Sequence, residues 1–198
     1  MLKNISKLNL VRVGSYITYS SLKEIGNGLL ESFRGIIGEI SLSHHESPVV
    51  ESIDAQLLTL ILGEEYYGNT LGITDADLKV DDDEFYNSII GGKNPKNDVA
   101  VVSTKKLAPH NMVSDKEIDL FIDRTTKVAL HEVGHSLGDL ADEYFYTSDT
   151  YTGPERPERN VSILDAAAMA NSATKWESRL GDPRDGFDGK VNTYKGAY

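Results

Sequence analysis

Residues 114–138 read SDKEIDLFIDRTTKVALHEVGHSLG, and the fold of the chain turns on how this stretch is arranged. Ser114 with Glu117 three residues on has the spacing of a capping box, in which each side chain satisfies an orphan backbone N–H at a helix start. Ile118, Phe121, Ile122, Val128 and Leu130 then supply apolar faces, so the pattern predicts a helix over residues 115–137. Gly138 stands where such a helix would stop. Near its end, His131-Glu132-Val133-Gly134-His135 is an H-E-x-x-H pentad. Positions i and i+4 lie one turn apart on one helix face, so both imidazoles reach the same ion. Glu132 is adjacent to the first ligand and projects beside that ion, placed to take a proton from water that the metal activates. The expectation is one catalytic Zn2+ held by His131 and His135, with Glu132 as general base. The plainer reading, two surface histidines on a helix, fits less well with a pentad at the end of an amphipathic helix.

A catalytic zinc usually takes three protein ligands and leaves a fourth position for water. The chain has no cysteine, so every ligand must be His, Asp or Glu, and disulfides and thiolate nucleophiles are excluded. In the arrangement H-E-x-x-H-x-x-G-x-x-H a third histidine follows the glycine. Gly138 occupies that glycine position, but Ala141 stands where the histidine belongs and Asp142 comes one residue later. Asp142 is the preferred third ligand, because one extra residue past the turn brings a shorter side chain to the metal. Asp139 lies too close to the helix end to swing round, and Glu143 is the rival.

Working outward, alternating apolar residues predict a strand over residues 8–13, and Ile25, Leu29, Leu30 and Phe33 predict a helix over 22–33. A second strand is expected over 36–42. A helix over 50–62 is expected, since Ile53, Leu57, Leu60 and Ile61 recur at helical spacing. Residues 71–73 and 99–103 read as short strands, and 84–90 as an edge strand closed by Gly91-Gly92 and Asn94-Pro95. Residues 144–160 read as loop, 163–180 as helix, and 181–198 as irregular. The fold class expected is α+β, a twisted mixed sheet with two main helices and a small irregular C-terminal subdomain. A length of 198 residues suits one domain of two lobes, 1–138 and 139–198.

A formal net charge of −11 argues against binding nucleic acid or anionic membranes through bulk electrostatics. The first residues lack the apolar run of a signal peptide, and no stretch has the roughly 18–20 apolar residues of a membrane span, so a cytoplasmic location is the default. His44-His45 reads as exposed loop and His110 as structural. The acidic run from Asp75 to Glu84 lacks the central glycine and closing glutamate of a calcium loop and reads as solvated loop. Asn4-Ile5-Ser6 and Asn160-Val161-Ser162 fit the common glycosylation pattern.

Residues 71–78 (LGITDADL), 99–103 (VAVVS) and 131–138 (HEVGHSLG) resemble the archaemetzincin family over roughly the first two-thirds of the chain. The third histidine and the second-metal cysteines of that family are missing. Residues 131–144, with Asn160-Val161-Ser162, Lys175-Trp176 and Lys195-Gly196-Ala197-Tyr198, resemble the bacterial IgA-degrading metallopeptidases. Both resemblances imply a metzincin-like (zincin) fold and a zinc metalloendopeptidase acting on peptide or protein. The second also implies that residues completing that family's fold lie beyond Tyr198. Metzincins carry a methionine turn beneath the zinc, for which Met169 is the downstream candidate, a buried core methionine being the alternative. Two readings compete with peptidase activity: a catalytically silent module of the same fold, and zinc hydrolysis of a non-peptide amide.

Overall fold

The computed structural model describes residues 5–48, 50–80, 84–86, 88–90, 98–108 and 114–138. All of these belong to one compact unit, Met1–Gly138. The chain begins with β1 (Ile5–Val13), α1 (Tyr19–Ser32) and β2 (Ile37–His45), followed by β3 (Ser52–Asp54), α2 (Ala55–Glu65) and β4 (Asn69–Thr74). Short strands β5 (Asp77–Val80), β6 (Glu84–Tyr86) and β7 (Ser88–Ile90) lead to β8 (Val99–Ser103) and the long α3 (Asp115–Gly138).

The main sheet has the order β2-β1-β4-β8-β7. Its first four strands are mutually parallel, and β7 closes the edge antiparallel to β8. Alternation along the strands sorts the core into two layers, because successive side chains point to opposite faces. Leu8, Leu10, Leu71, Ile73, Ala100 and Val102 pack with Leu22, Ile25 and Leu29 of α1 and Phe121, Ala129 and Val133 of α3. Val11, Val13, Val99 and Val101 pack on the other face with Ala55, Leu58 and Leu62 of α2. Thus α1 and α3 cover one face and α2 the other, as parallel strands require. Helices α1 and α3 approach closely at Gly28, where an added Cβ would lie 2.7 Å from Thr126 Cγ2.

Several expectations need correction. Residues 52–54 are strand rather than helix, and Asp54 caps α2 by accepting from Leu57 N at 2.8 Å. The buried face of α2 is Ala55, Leu58, Thr59 and Leu62, whereas Leu57, Leu60 and Ile61 are exposed. Apolar residues lie on more than one side of this short helix, and the sheet valines select the side containing Leu58 and Leu62. The acidic run is not all loop: Asp77–Val80 is β5, with Leu78 fully buried, in a second sheet of order β3-β5-β6. The edge strand expected over 84–90 is two strands, β6 pairing with β5 and β7 with β8.

His44 and His45 end β2 instead of lying in a loop. His44 Nε2 is 3.0 Å from Gly14 O, and His45 Nδ1 is 2.6 Å from the Glu65 carboxylate. The Tyr66 hydroxyl donates to His44 O at 3.2 Å. Burial, and then the neighbouring Glu65, push the Tyr66 pKa up to about 12. Above about pH 10 an unfolded tyrosine gives up its proton while the folded one keeps it, so stability falls as pH rises from there through 12. Urea midpoints measured across this range should decline less steeply in Tyr66→Phe than in the wild type, and equal slopes would remove Tyr66 from the effect.

Thr125 is fully buried on α3, and its Oγ1 has no hydrogen-bond partner. The adjacent Thr126 satisfies its hydroxyl on Ile122 O at 2.8 Å. A buried unsatisfied hydroxyl costs roughly 1–3 kcal/mol, so Thr125→Val is expected to stabilise the protein by about 1 kcal/mol. Chemical denaturation would show this as a raised midpoint, and a lowered midpoint would mean that the hydroxyl is satisfied in solution. Among the described residues no helix is long and apolar enough to cross a membrane.

Candidate metal centre

The centre is built by α3, and its local cause is the capping box. Ser114 N and Oγ both donate to Glu117 Oε2, at 3.0 and 2.8 Å, while Glu117 N donates to Ser114 Oγ at 3.3 Å. With the start fixed, Phe121, Thr125, Ala129 and Val133 recur every four residues as the buried ridge against the sheet and α1. That phase places Glu132 inward beside Val133, 4% exposed, with His135 9% exposed and His131 open to solvent.

The two imidazoles converge one turn apart. Their Nε2 atoms are 2.9 Å apart, and the rings meet edge to face at 4.4 Å between centroids and 87° between planes. Glu132 Oε1 lies 3.9 Å from His131 Nε2. One donor atom from each of His131, Glu132 and His135 falls within 4.8 Å of the others, and among the described residues no other such trio occurs. Two nitrogens about 2.05 Å from a tetrahedral centre sit about 3.3 Å apart, so the observed pair needs only a few tenths of an ångström of opening to share an ion. The residues present therefore fit a metal held by imidazole. Imidazole donors suit zinc and other late first-row metals and argue against the hard, oxygen-seeking cations.

The structure thus brings together three of the residues singled out in the sequence. Asp142, with its rivals Asp139 and Glu143, lies outside the described residues, as do His110 and Met169. What holds the motif in place is the buried ridge of α3. Val133, inside the pentad, is a core residue, and Gly134, between the two histidines in sequence, is buried. The four-residue recurrence of Phe121, Thr125, Ala129 and Val133 was the available signal.

A parallel sheet closed by one antiparallel edge strand, with an H-E-x-x-H helix packed against it, defines the zincin class of architecture. The archaemetzincin from Archaeoglobus fulgidus, solved as a complex with malonate, shares this fold: TM-score 0.52, 20% identity, covering 70% of this chain and 83% of that one. The archaemetzincin from Methanopyrus kandleri matches at TM-score 0.49 and 22% identity over 66% of this chain and 72% of that one. A zinc-dependent peptidase from Methanocorpusculum labreanum matches at 0.46 and 16% over 64% and 79%. In sequence, the family model of IgA Peptidase M64 matches residues 114–185, which begin at the capping serine of α3. No curated protein matches the chain. The chain thus resembles archaemetzincins in fold, and over residues 114–185 it matches the IgA Peptidase M64 model in sequence.

Proposed function

We propose that the protein is a zinc-dependent endopeptidase with one catalytic ion, held by His131, His135 and Asp142, and with Glu132 as general base. The convergence of two imidazole nitrogens at 2.9 Å beside a buried carboxylate carries the reading. Supporting it are the zincin-like fold and the peptidase family model over residues 114–185. When bound, zinc supplies a Lewis acid that polarises the scissile carbonyl and lowers the pKa of water. Glu132 accepts the proton of the attacking water and hands it to the departing amine, so one carboxylate serves as base and then as acid. Its burial keeps it beside the reacting groups and shields it from bulk water. A silent module has no structural need for a carboxylate at that place. Cleavage of a mixed peptide library by the zinc-loaded chain, abolished by chelator and restored by zinc, is the expected result. A zinc-loaded chain that cuts no peptide would overturn the proposal.

The same reading places the substrate along β7. This strand forms the outer edge of the main sheet and offers main-chain groups to one more extended strand. Ser88→Pro removes one backbone donor from that strand. It is expected to raise KM several-fold with a much smaller loss of stability. An unchanged KM would place the substrate elsewhere.

A further inference from the structure

The two edges of the main sheet are unlike. One is β7, a strand of 3 residues, and the other is β2, a strand of 9. Natural sheets protect a long edge with proline, lysine or a bulge, because its unpaired backbone groups template another strand. β2 reads IGEISLSHH, with no proline or lysine, and Glu39 is its one acid. Among the described residues its only strand partner is β1.

The phase of the β1–β2 pairing decides which backbone groups face outward. Ile5 N donates to Ile36 O at 2.8 Å, and Ile5 stands opposite Ile37. Continuing from there in steps of two, Gly38, Ile40 and Leu42 bond to β1. Glu39, Ser41 and Ser43 therefore turn their N–H and C=O groups to the open edge. Among the described residues no other backbone group takes these up.

We propose that two copies of the chain join through β2, antiparallel and two-fold symmetric about Ser41, so that the sheet continues across the dimer. Pairing about Ser41 engages all three outward residues of both strands. Ser41 faces the partner's Ser41, Glu39 faces the partner's Ser43, and each such pair exchanges two backbone bonds. Between them Ile40 meets the partner's Leu42 at the close, non-hydrogen-bonded positions of the ladder, and both are half-buried in the single chain. The acid of each strand meets a hydroxyl, so no like charges stand opposite each other. A register centred on Glu39 would set two carboxylates face to face. One centred on Ser43 would need His45, whose C=O already accepts from Gly14 N. The net charge of −11 opposes association, so the dimer should tighten as salt rises. β7, at the opposite edge, stays open, and the proposal stands whether or not the chain cleaves peptides.

The test is sedimentation equilibrium of the zinc-loaded full chain at about 0.15 M salt, up to a concentration of about 200 μM. The mass should approach twice the 21.8 kDa of one chain. Ser41→Lys sets two like charges opposite each other at the centre and should hold the chain as a monomer with its Tm little changed. Because the chain has no cysteine, single replacements report the register. Ser41→Cys should cross-link on oxidation, since hydrogen-bonded partners have Cα atoms about 5.5 Å apart, within disulfide reach. Ser43→Cys should not, because the two Ser43 positions lie about 13 Å apart along the ladder. A wild-type chain that stays monomeric throughout that range overturns the proposal. So does a dimer that survives Ser41→Lys, or one that Ser43→Cys cross-links in place of Ser41→Cys.

Discussion

Replacing Glu132 by glutamine is expected to lower turnover by roughly 10²–10⁴-fold while zinc content stays at the wild-type level. The amide has nearly the shape of the carboxylate, so the buried position beside Val133 can accept it without repacking. It cannot take up a proton, so the reaction loses its base while both imidazoles remain. The expected signature is a fall in kcat with KM little changed, because the lost interaction belongs to the transition state. Glu132→Asp keeps the carboxylate but draws it back by one methylene, and should recover only part of the loss. Peptide hydrolysis by metal-analysed samples decides the matter. Wild-type rates in Glu132→Gln would take Glu132 out of the mechanism, and loss of zinc in that variant would make it a ligand instead.

What could be read from the sequence follows from how local each cause is. The capping box and the pentad are contacts within one helix, three or four residues apart. Ser114 therefore meets Glu117, and His131 and Glu132 meet His135, as their spacing implies. The strands β1 and β4 were legible from apolar residues alternating along the chain, and β8 from its short run of valines. The inward face of α2 was not legible because that helix carries apolar residues on more than one side, and only the valines of β1 and β8 settle which side is inward. Likewise the acidic residues around Leu78 gave the pattern of a loop. Pairing of β5 with β3 and β6, a non-local event, makes it strand. The third ligand proposed, Asp142, rests on the spacing after Gly138 alone, which no helical period encodes.

Asp142→Ala is expected to leave two imidazoles for the ion, to weaken zinc retention sharply and to abolish hydrolysis. The two histidines stand one turn apart on α3, so any third ligand must come from outside that pair and approach from the far side of the ion. The sequence after Gly138 offers Asp139, Asp142 and Glu143. Asp139 follows the last residue of α3 directly, and a carboxylate there is mildly unfavourable to the helix dipole, so Asp139→Ala should keep its zinc. Asp142 sits one residue beyond the position where a third histidine belongs, and the added residue compensates for the shorter reach of the carboxylate. Asp142→His should accordingly restore binding only in part, since the longer side chain overshoots from that position. Zinc stoichiometry of Asp139→Ala, Asp142→Ala and Glu143→Ala after dialysis against a weak chelator is the deciding measurement. Loss of zinc in Glu143→Ala with retention in Asp142→Ala would move the ligand one residue along. Retention in all three would place it elsewhere in the chain.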